Sequence, residues 1–266
     1  MEEEALMATL KGMYQEALRG NELVVTAPHV KWMETLEEEQ IYSPEAQQFA
    51  LDVWNRKYKH PRAGRFSPSA IGKCARRVVF GFAGAPQIPP DSTSQEMMDH
   101  GSWIHLKWQM EGITMGYMPK AEVWVHDDGL RVGGSMDGLL HDGSSFELKS
   151  AMWNVYNKVV TIERWPKWEN LLQDATYKLL ADIDWSSVVY EDRGNGQFHE
   201  YRVDRDAKVE AEALRRITSY NAYVDEDELP PMLDECEMKS GYVYHGCPYR
   251  KICPMAKSVS EFGHVA

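Results

Sequence analysis

Two carboxylates and an amine stand close together in GGSMDGLLHDGSSFELKS, residues 133–150: Asp137, Glu147 and Lys149. In FELKS, strand alternation puts Phe146 and Leu148 on one face and Glu147 and Lys149 on the other. A three-residue Asp142-Gly143-Ser144 loop brings Asp137 opposite Lys149, on the charged face, whereas a two-residue Asp142-Gly143 turn sets it opposite Leu148. Converging carboxylates repel one another unless a cation lies between them. Oxygen ligands of this kind suit Mg²⁺ or Mn²⁺, and a neighbouring lysine can orient water and offset charge developing on a phosphate. The trio is thus a kit for metal-assisted phosphodiester hydrolysis. On these residues alone, an exposed salt-bridged hairpin is the simpler explanation.

The elements around the hairpin follow from periodicity and punctuation. Helical spacing covers residues 2–19 and about 30–39, and Ser43-Pro44-Glu45 opens a third helix with an N-cap and a proline at its first position. HPRAGRFSPS (60–69) reads as a loop whose Ser67 or Ser69 caps a helix through Phe80; GAPQIPPDS (84–92) is a second loop, followed by a long helix from about Ser94 to Met115. After Pro119 the period changes to strands in AEVWVH, GLRVGGSMDGLL and SSFELKS. A helix follows in PKWENLLQDATYKLLADI, with an apolar stripe of Leu171, Leu172, Ala175, Leu179 and Leu180. Two further strands, SSVVYED and GQFHEYRVD, and a polar helix over 204–224 complete an α/β pattern.

Two other features bracket the hairpin. HGSWIHLKWQ sets Gly101 and His105 one turn apart on the long helix, and NLLQDATYKLL sets Gln173 and Tyr177 at i and i+4 on the following one. In this order, Gly-x-x-x-His, Asp, Glu-x-Lys and Gln-x-x-x-Tyr resemble the motifs of the RecB-like branch of the PD-(D/E)XK nucleases, over residues 101–177. The resemblance implies a restriction-endonuclease-like core, a central mixed sheet flanked by helices. It implies that His105, Asp137 and Glu147 bind the metal together with the Leu148 carbonyl, and that Lys149 assists the attacking water. Gln173 and Tyr177 would position the nucleic-acid strand or Lys149. No pattern selects Gln109, Glu111 or Asp142. The remaining histidines read as surface residues, and Trp103 and Trp108 as core residues rather than stacking surfaces.

The four cysteines are Cys74 and, in the tail, Cys236, Cys247 and Cys253. A reducing compartment gives disulfides little use, so this set points to a metal or cluster, and the spacing leaves Zn²⁺ and [4Fe-4S] both open. CRISPR-associated RecB-like exonucleases and related helicase-nuclease subunits resemble this chain in carrying one cysteine before the nuclease motifs and three after them. CPYRKICP is similar to their tail, and the resemblance implies a [4Fe-4S] cluster held by Cys74, Cys236, Cys247 and Cys253, mainly as a structural staple. The interval from Cys236 to Cys247 is longer than in that family.

The formal net charge of −12 argues against non-specific nucleic-acid binding by the whole surface. Yet residues 53–90 contain no Asp or Glu and carry Arg56, Lys57, Lys59, Arg62, Arg65, Lys73, Arg76 and Arg77. Of these, Arg62, Arg65, Lys73, Arg76 and Arg77 are the expected phosphate-tracking face. The acidic, amphipathic start is unlike a secretory signal and no apolar run approaches a membrane span, so the expected location is the cytoplasm. Three regions are expected to form one unit: a helical part over 1–93, a nuclease core over 94–225 and a cluster-binding tail over 226–266. The leading expectation is a metal-dependent DNA exonuclease acting on single strands or DNA ends, alone or with a recombination, helicase or CRISPR-adaptation partner. The competing one is a non-catalytic iron–sulfur subunit that grips DNA, and a weaker third is a zinc-stapled regulatory protein.

Overall fold

A computed structural model of the protein describes residues 23–35, 39–57, 64–241 and 245–262. The helix expected over 2–19 and Arg62 lie outside the described residues. The described chain is an α/β fold around one five-stranded mixed sheet of order β1-β2-β3-β4-β5. The strands are β1 (Lys120–Asp127), β2 (Val132–Leu139), β3 (Ser145–Ala151), β4 (Trp185–Asp192) and β5 (Phe198–Asp204). All neighbours are antiparallel except β3 and β4, whose parallel pairing requires a crossover.

Before the sheet come α1 (Thr26–Glu34), α2 (Pro44–Trp54), a 3₁₀ turn at Pro68–Ala70, α3 (Ala75–Phe82) and α4 (Ser92–Met115). The second is capped as its sequence signals, the Ser43 hydroxyl accepting the Ala46 N–H at 3.2 Å. Asp91 caps α4 by accepting the Ser94 N–H at 2.7 Å, and Gly116 ends it in the left-handed region at φ 80°. The β3–β4 crossover contains α5 (Trp153–Asn157), a π-helical stretch (Lys158–Glu163) and α6 (Trp168–Ala181); α7 (Ala207–Asp225) and the short α8 (Asp234–Glu237) follow the sheet.

One departure concerns α3. It begins at Ala75 with Cys74 at the N-cap position, not at Ser67 or Ser69. Gly72 explains the delay, since a Cβ there would lie 2.7 Å from the Glu169 Cα. The turn after the 3₁₀ segment is thus pressed against the start of α6. The crossover pieces Trp153–Asn157 and Lys158–Glu163 were not legible as helices, because their short runs carry no cap or stripe.

The sheet is covered on both faces. Phe146, Leu148 and Val189 pack on Ile104 and Trp108 of α4 and on Val25. Val188, Tyr190, Tyr201 and Val203 pack on Tyr156, Val159 and Leu171 of the crossover. No helix among the described residues is long and apolar enough to cross a membrane.

Candidate active site

The β2–β3 hairpin sets the register of the charged residues. Leu140 N–H donates to the Ser144 carbonyl at 2.8 Å, leaving His141, Asp142 and Gly143 as a three-residue loop with Gly143 at φ 86°. The expected loop type is present but one residue earlier than Asp142-Gly143-Ser144. The pairs Gly138↔Phe146 and Leu139↔Ser145 follow, and continuing that register sets Asp137 against Glu147 instead of Lys149. The shift preserves parity, so the acids still converge. At this point the strands part, and the Leu148 N–H donates to Asp137 Oδ2 at 2.7 Å. The carboxylate therefore lies in the gap between β2 and β3.

On β3, Phe146 and Leu148 are buried against α4 while Glu147 and Lys149 point to the α6 face, as alternation requires. Lys149 Nζ donates to Glu147 Oε1 at 2.6 Å and to Gln173 Oε1 at 2.8 Å, and Gln173 Nε2 donates to the same Glu147 oxygen at 2.7 Å. Gln173 thus reads both partners and locks the lysine. Tyr177 donates to the Ser135 carbonyl at 2.6 Å and so ties α6 to β2 without touching Lys149 directly. From α4, His105 Nδ1 lies 3.3 Å from Asp137 Oδ1. The Gly101 position is tight, since a Cβ there would stand 3.1 Å from Ser150 Oγ, so glycine lets α4 approach the end of β3.

Burial and mutual charge govern the protons here. Burial pushes the Glu147 carboxyl up, Asp137 adds to the effect, and Lys149 only partly opposes it, leaving Glu147 at about 7. Burial also pushes Asp137 up, but His105 and Lys149 more than reverse it and hold the group below its ordinary range. For His105 burial works downward, and the charges of Asp137 and Glu147 carry it above its ordinary value. Lys149 is likewise depressed by burial but raised overall by Glu147 and Asp137. The cluster is a balanced set of charges in which one carboxylate sits near neutrality.

Two carboxylates and an imidazole are the donor chemistry of a divalent-cation site. Among the described residues, however, no group of three or more His, Cys, Asp or Glu side chains is arranged to hold a metal ion as it stands. The physical reason lies in the contacts, since Glu147 Oε1 is engaged by Lys149 and Gln173 and Asp137 Oδ2 by a main-chain N–H. Lys149 also sets its ammonium against both carboxylates.

Two neighbours of the site escape motif reasoning. Glu122 stands across β1 from Asp137 in the β1–β2 register and adopts φ 52°. Burial raises its carboxyl and Asp137 raises it further. Gln109, 2% exposed, donates to Glu122 Oε1 at 3.1 Å and to the Asp137 carbonyl at 2.9 Å. No local pattern marks a left-handed glutamate within a strand. A polar residue on the His105 face of α4, one turn later, was the available signal for Gln109.

The expected basic face is largely engaged within the protein. Arg65 pairs with Asp128 at 2.5 Å and Lys73 with Glu169 at 3.4 Å. Arg76 donates to the carbonyls of Pro230 and Ala256. Arg77 is half-buried on α3. Trp108 is fully buried, as expected, whereas Trp103 is 54% exposed and rests against Trp54, also exposed, so it is not a core residue. Among the described residues, His29 departs from the expectation of surface histidines: it is 2% exposed and stacked on Trp108.

Cys253 and Cys247 of the tail pack in one cluster with Phe80 of α3, the helix at whose N-cap position Cys74 stands. Burial raises the Cys236 thiol, with Cys74 and Cys247 adding to it. Burial likewise raises Cys253 to about 11, where Arg76 opposes and Cys236, Cys74 and Cys247 reinforce the shift. Cys253 thus senses the other three thiols and Cys236 senses Cys74 and Cys247, and all four are free thiols. Softness and number fit a thiolate-bound metal or cluster, although these four also are not arranged to hold an ion as they stand.

No family model and no curated protein matches the sequence. Solved structures do resemble it. The crystal structure of SSO0001 aligns at a TM-score of 0.51 and 15% identity, over 80% of this chain and 96% of that one. An alkaline exonuclease (LHK-Exo) from Laribacter hongkongensis aligns at 0.49 and 17% identity, over 64% of this chain and 93% of its own. A phage-related exonuclease from Haemophilus somnus 129PT aligns at 0.42 and 12%, over 65% and 97%. The SSO0001 likeness is one of fold, at an identity too low to carry function, and the two exonuclease alignments are looser still.

Proposed function

We propose that this chain is a divalent-metal-dependent DNA exonuclease. The observation that carries the reading is the convergence of Asp137, Glu147 and Lys149 at the parting of β2 and β3, with His105 brought in by α4 and Gln173 by α6. Four elements are needed to assemble these side chains, and an exposed salt-bridged hairpin requires only two. The sequence motifs that resemble RecB-like nucleases are the residues that meet.

In this reading His105, Asp137 and Glu147 hold Mg²⁺ or Mn²⁺, with the Leu148 carbonyl as a further ligand. The cation, when bound, polarises the phosphodiester and acidifies a water. Glu147, now bonded by Lys149 and Gln173, would be the ligand carboxylate nearest the lysine. Lys149, kept in place by Gln173, then faces the attacked phosphate, where its ammonium orients water and offsets negative charge. Tyr177 keeps β2 and α6 in register so that Asp137 and Gln173 stay opposed. The four cysteines hold a [4Fe-4S] cluster, or less favourably Zn²⁺, that fastens α3 to the tail.

The competing reading is a subunit that keeps this fold to grip DNA without cleaving it. End-labelled single- and double-stranded DNA incubated with Mn²⁺, Mg²⁺ or EDTA separates the two. The nuclease reading predicts metal-dependent release of label that falls about 100-fold or more in Lys149→Ala. Binding without cleavage in every metal would favour the gripping subunit.

A further inference from the structure

The crossover between β3 and α6 exposes an unusual amount of aromatic surface. Met152, Trp153, Ile162, Trp165 and Trp168 are all about half exposed or more, within one stretch of residues 152–168. Large apolar side chains normally avoid such exposure in concert. The indoles are not loose. Trp153 stacks on Tyr156 at 6.1 Å between centroids, and Trp165 meets Tyr201 edge-on at 6.0 Å. Tyr156 and Tyr201 belong to one buried cluster with Tyr190, so the two indoles rest on a shared floor.

That floor adjoins the candidate site. Tyr190 is the partner of Lys149 across the parallel β3–β4 ladder and lies on the same face. Its hydroxyl accepts the Lys167 N–H at 3.2 Å and a bond from Asn170, which anchors the chain beside Trp168 over the lysine's neighbour. The stretch thus leaves β3 just after Lys149 and returns above Tyr190. Its charge also differs from the rest of the chain: Lys158, Arg164 and Lys167 against Glu163 give +2 over residues 152–168, in a chain of net −12, with Lys158 paired to Glu163 at 3.3 Å. Arg193, at the same end of β3, donates to the Ser150 carbonyl at 2.9 Å and the Met97 carbonyl at 3.0 Å, so Arg164 and Lys167 are the cations nearest the rings in sequence. Flat rings interleaved with cations are the chemistry that takes unpaired bases and their phosphates.

We infer that Trp153, Trp165 and Trp168 form a stacking platform for the unpaired bases of the strand whose end enters the site. The identity of that strand as DNA rests on the nuclease reading; the platform itself rests on the exposed rings, their charge and their place beside Lys149.

Binding of fluorescein-labelled oligo(dT) in EDTA, read by anisotropy, tests the inference without any cleavage. Wild type should bind, with quenching of tryptophan fluorescence, and Trp165→Ala and Trp168→Ala should each weaken binding about 10-fold. Trp165→Phe should recover most of the affinity, which a merely structural role would not predict, and circular dichroism should match wild type in all three. Unchanged affinity in both alanine variants would overturn the platform even if wild type degrades DNA. Tryptophan-dependent binding by a wild type that cleaves nothing would keep the platform and remove the nuclease reading. A wild-type dimer by light scattering that becomes a monomer in Trp165→Ala, with oligo(dT) binding unaffected, would assign the surface to a second copy and overturn the inference.

Discussion

Glu147 and Lys149 show how much of the site is a matter of residue type and spacing. Period-two alternation was enough to place both on the face opposite Phe146 and Leu148, and parity was enough to bring Asp137 to the same gap. Which residue stands directly opposite Asp137 was not legible, because one step in the position of a three-residue loop changes the partner without changing the face. Glu122 was invisible for a different reason: its φ of 52° is imposed by the surrounding strands and contradicts its own local preference. Next to the site, Lys178 is a residue-scale test of α6. It is 1% exposed and donates to Asp174 Oδ2 at 2.6 Å and to the Val203 carbonyl at 2.7 Å. Lys178→Met keeps the stem's packing but strands the 3%-exposed Asp174 without its cation. The expected loss is about 3–5 kcal/mol by urea unfolding, a value typical of breaking one half of a buried pair. A loss below about 1 kcal/mol would mean Asp174 finds other partners.

At the scale of elements, the α4 helix carries both the site and a buried knot that fixes its pose. Trp108 donates its indole N–H to Glu191 of β4, and His29 of α1 stacks on the Trp108 ring at 3.7 Å while bonding Glu111. His105 projects from the same 24-residue helix, about 36 Å long, so its distance to Asp137 depends on this anchorage. The extent of α4 was legible to within two residues, its Asp91 and Gly116 caps were not read, and the knot was not legible, since its members come from three elements far apart in sequence. Burial raises the Glu191 carboxyl, and the Trp108 bond and Lys107 only partly oppose it. A carboxylate with a raised folded pKa favours the folded state at low pH, and that contribution is lost as pH rises through the folded value. Glu191→Gln keeps an acceptor for Trp108 and removes the charge. Its melting temperature relative to wild type should therefore rise from pH 5 to pH 8; a difference that stays flat or falls would contradict the sign.

For the whole molecule, the sequence separates charges that the fold recombines. The acid-free stretch 53–90 reads as a basic face, yet Arg65, Lys73 and Arg76 meet Asp128, Glu169 and two tail carbonyls brought from elsewhere. Positive surface near the site comes instead from the crossover, where short helices gave no periodic signal. The cysteines are the longer-range expectation: Cys253 and Cys247 of the tail pack in one cluster with Phe80 of α3, the helix at whose N-cap position Cys74 stands. If they hold a cluster, anaerobically purified protein should contain iron, and Cys253→Ala should lose it and melt at least about 5 °C lower. Iron-free wild type, or a variant of equal stability, would leave the thiols as packing residues.

The central claim is that Asp137, Glu147 and His105 form a cation site although Lys149 and Gln173 now engage Glu147. Mn²⁺ binding followed by electron paramagnetic resonance tests it most directly, comparing wild type with Asp137→Asn and Glu147→Gln. The account predicts saturable Mn²⁺ binding in wild type that either substitution weakens about tenfold or more, with the fold retained. Equal binding in all three proteins, or none in wild type, would contradict it.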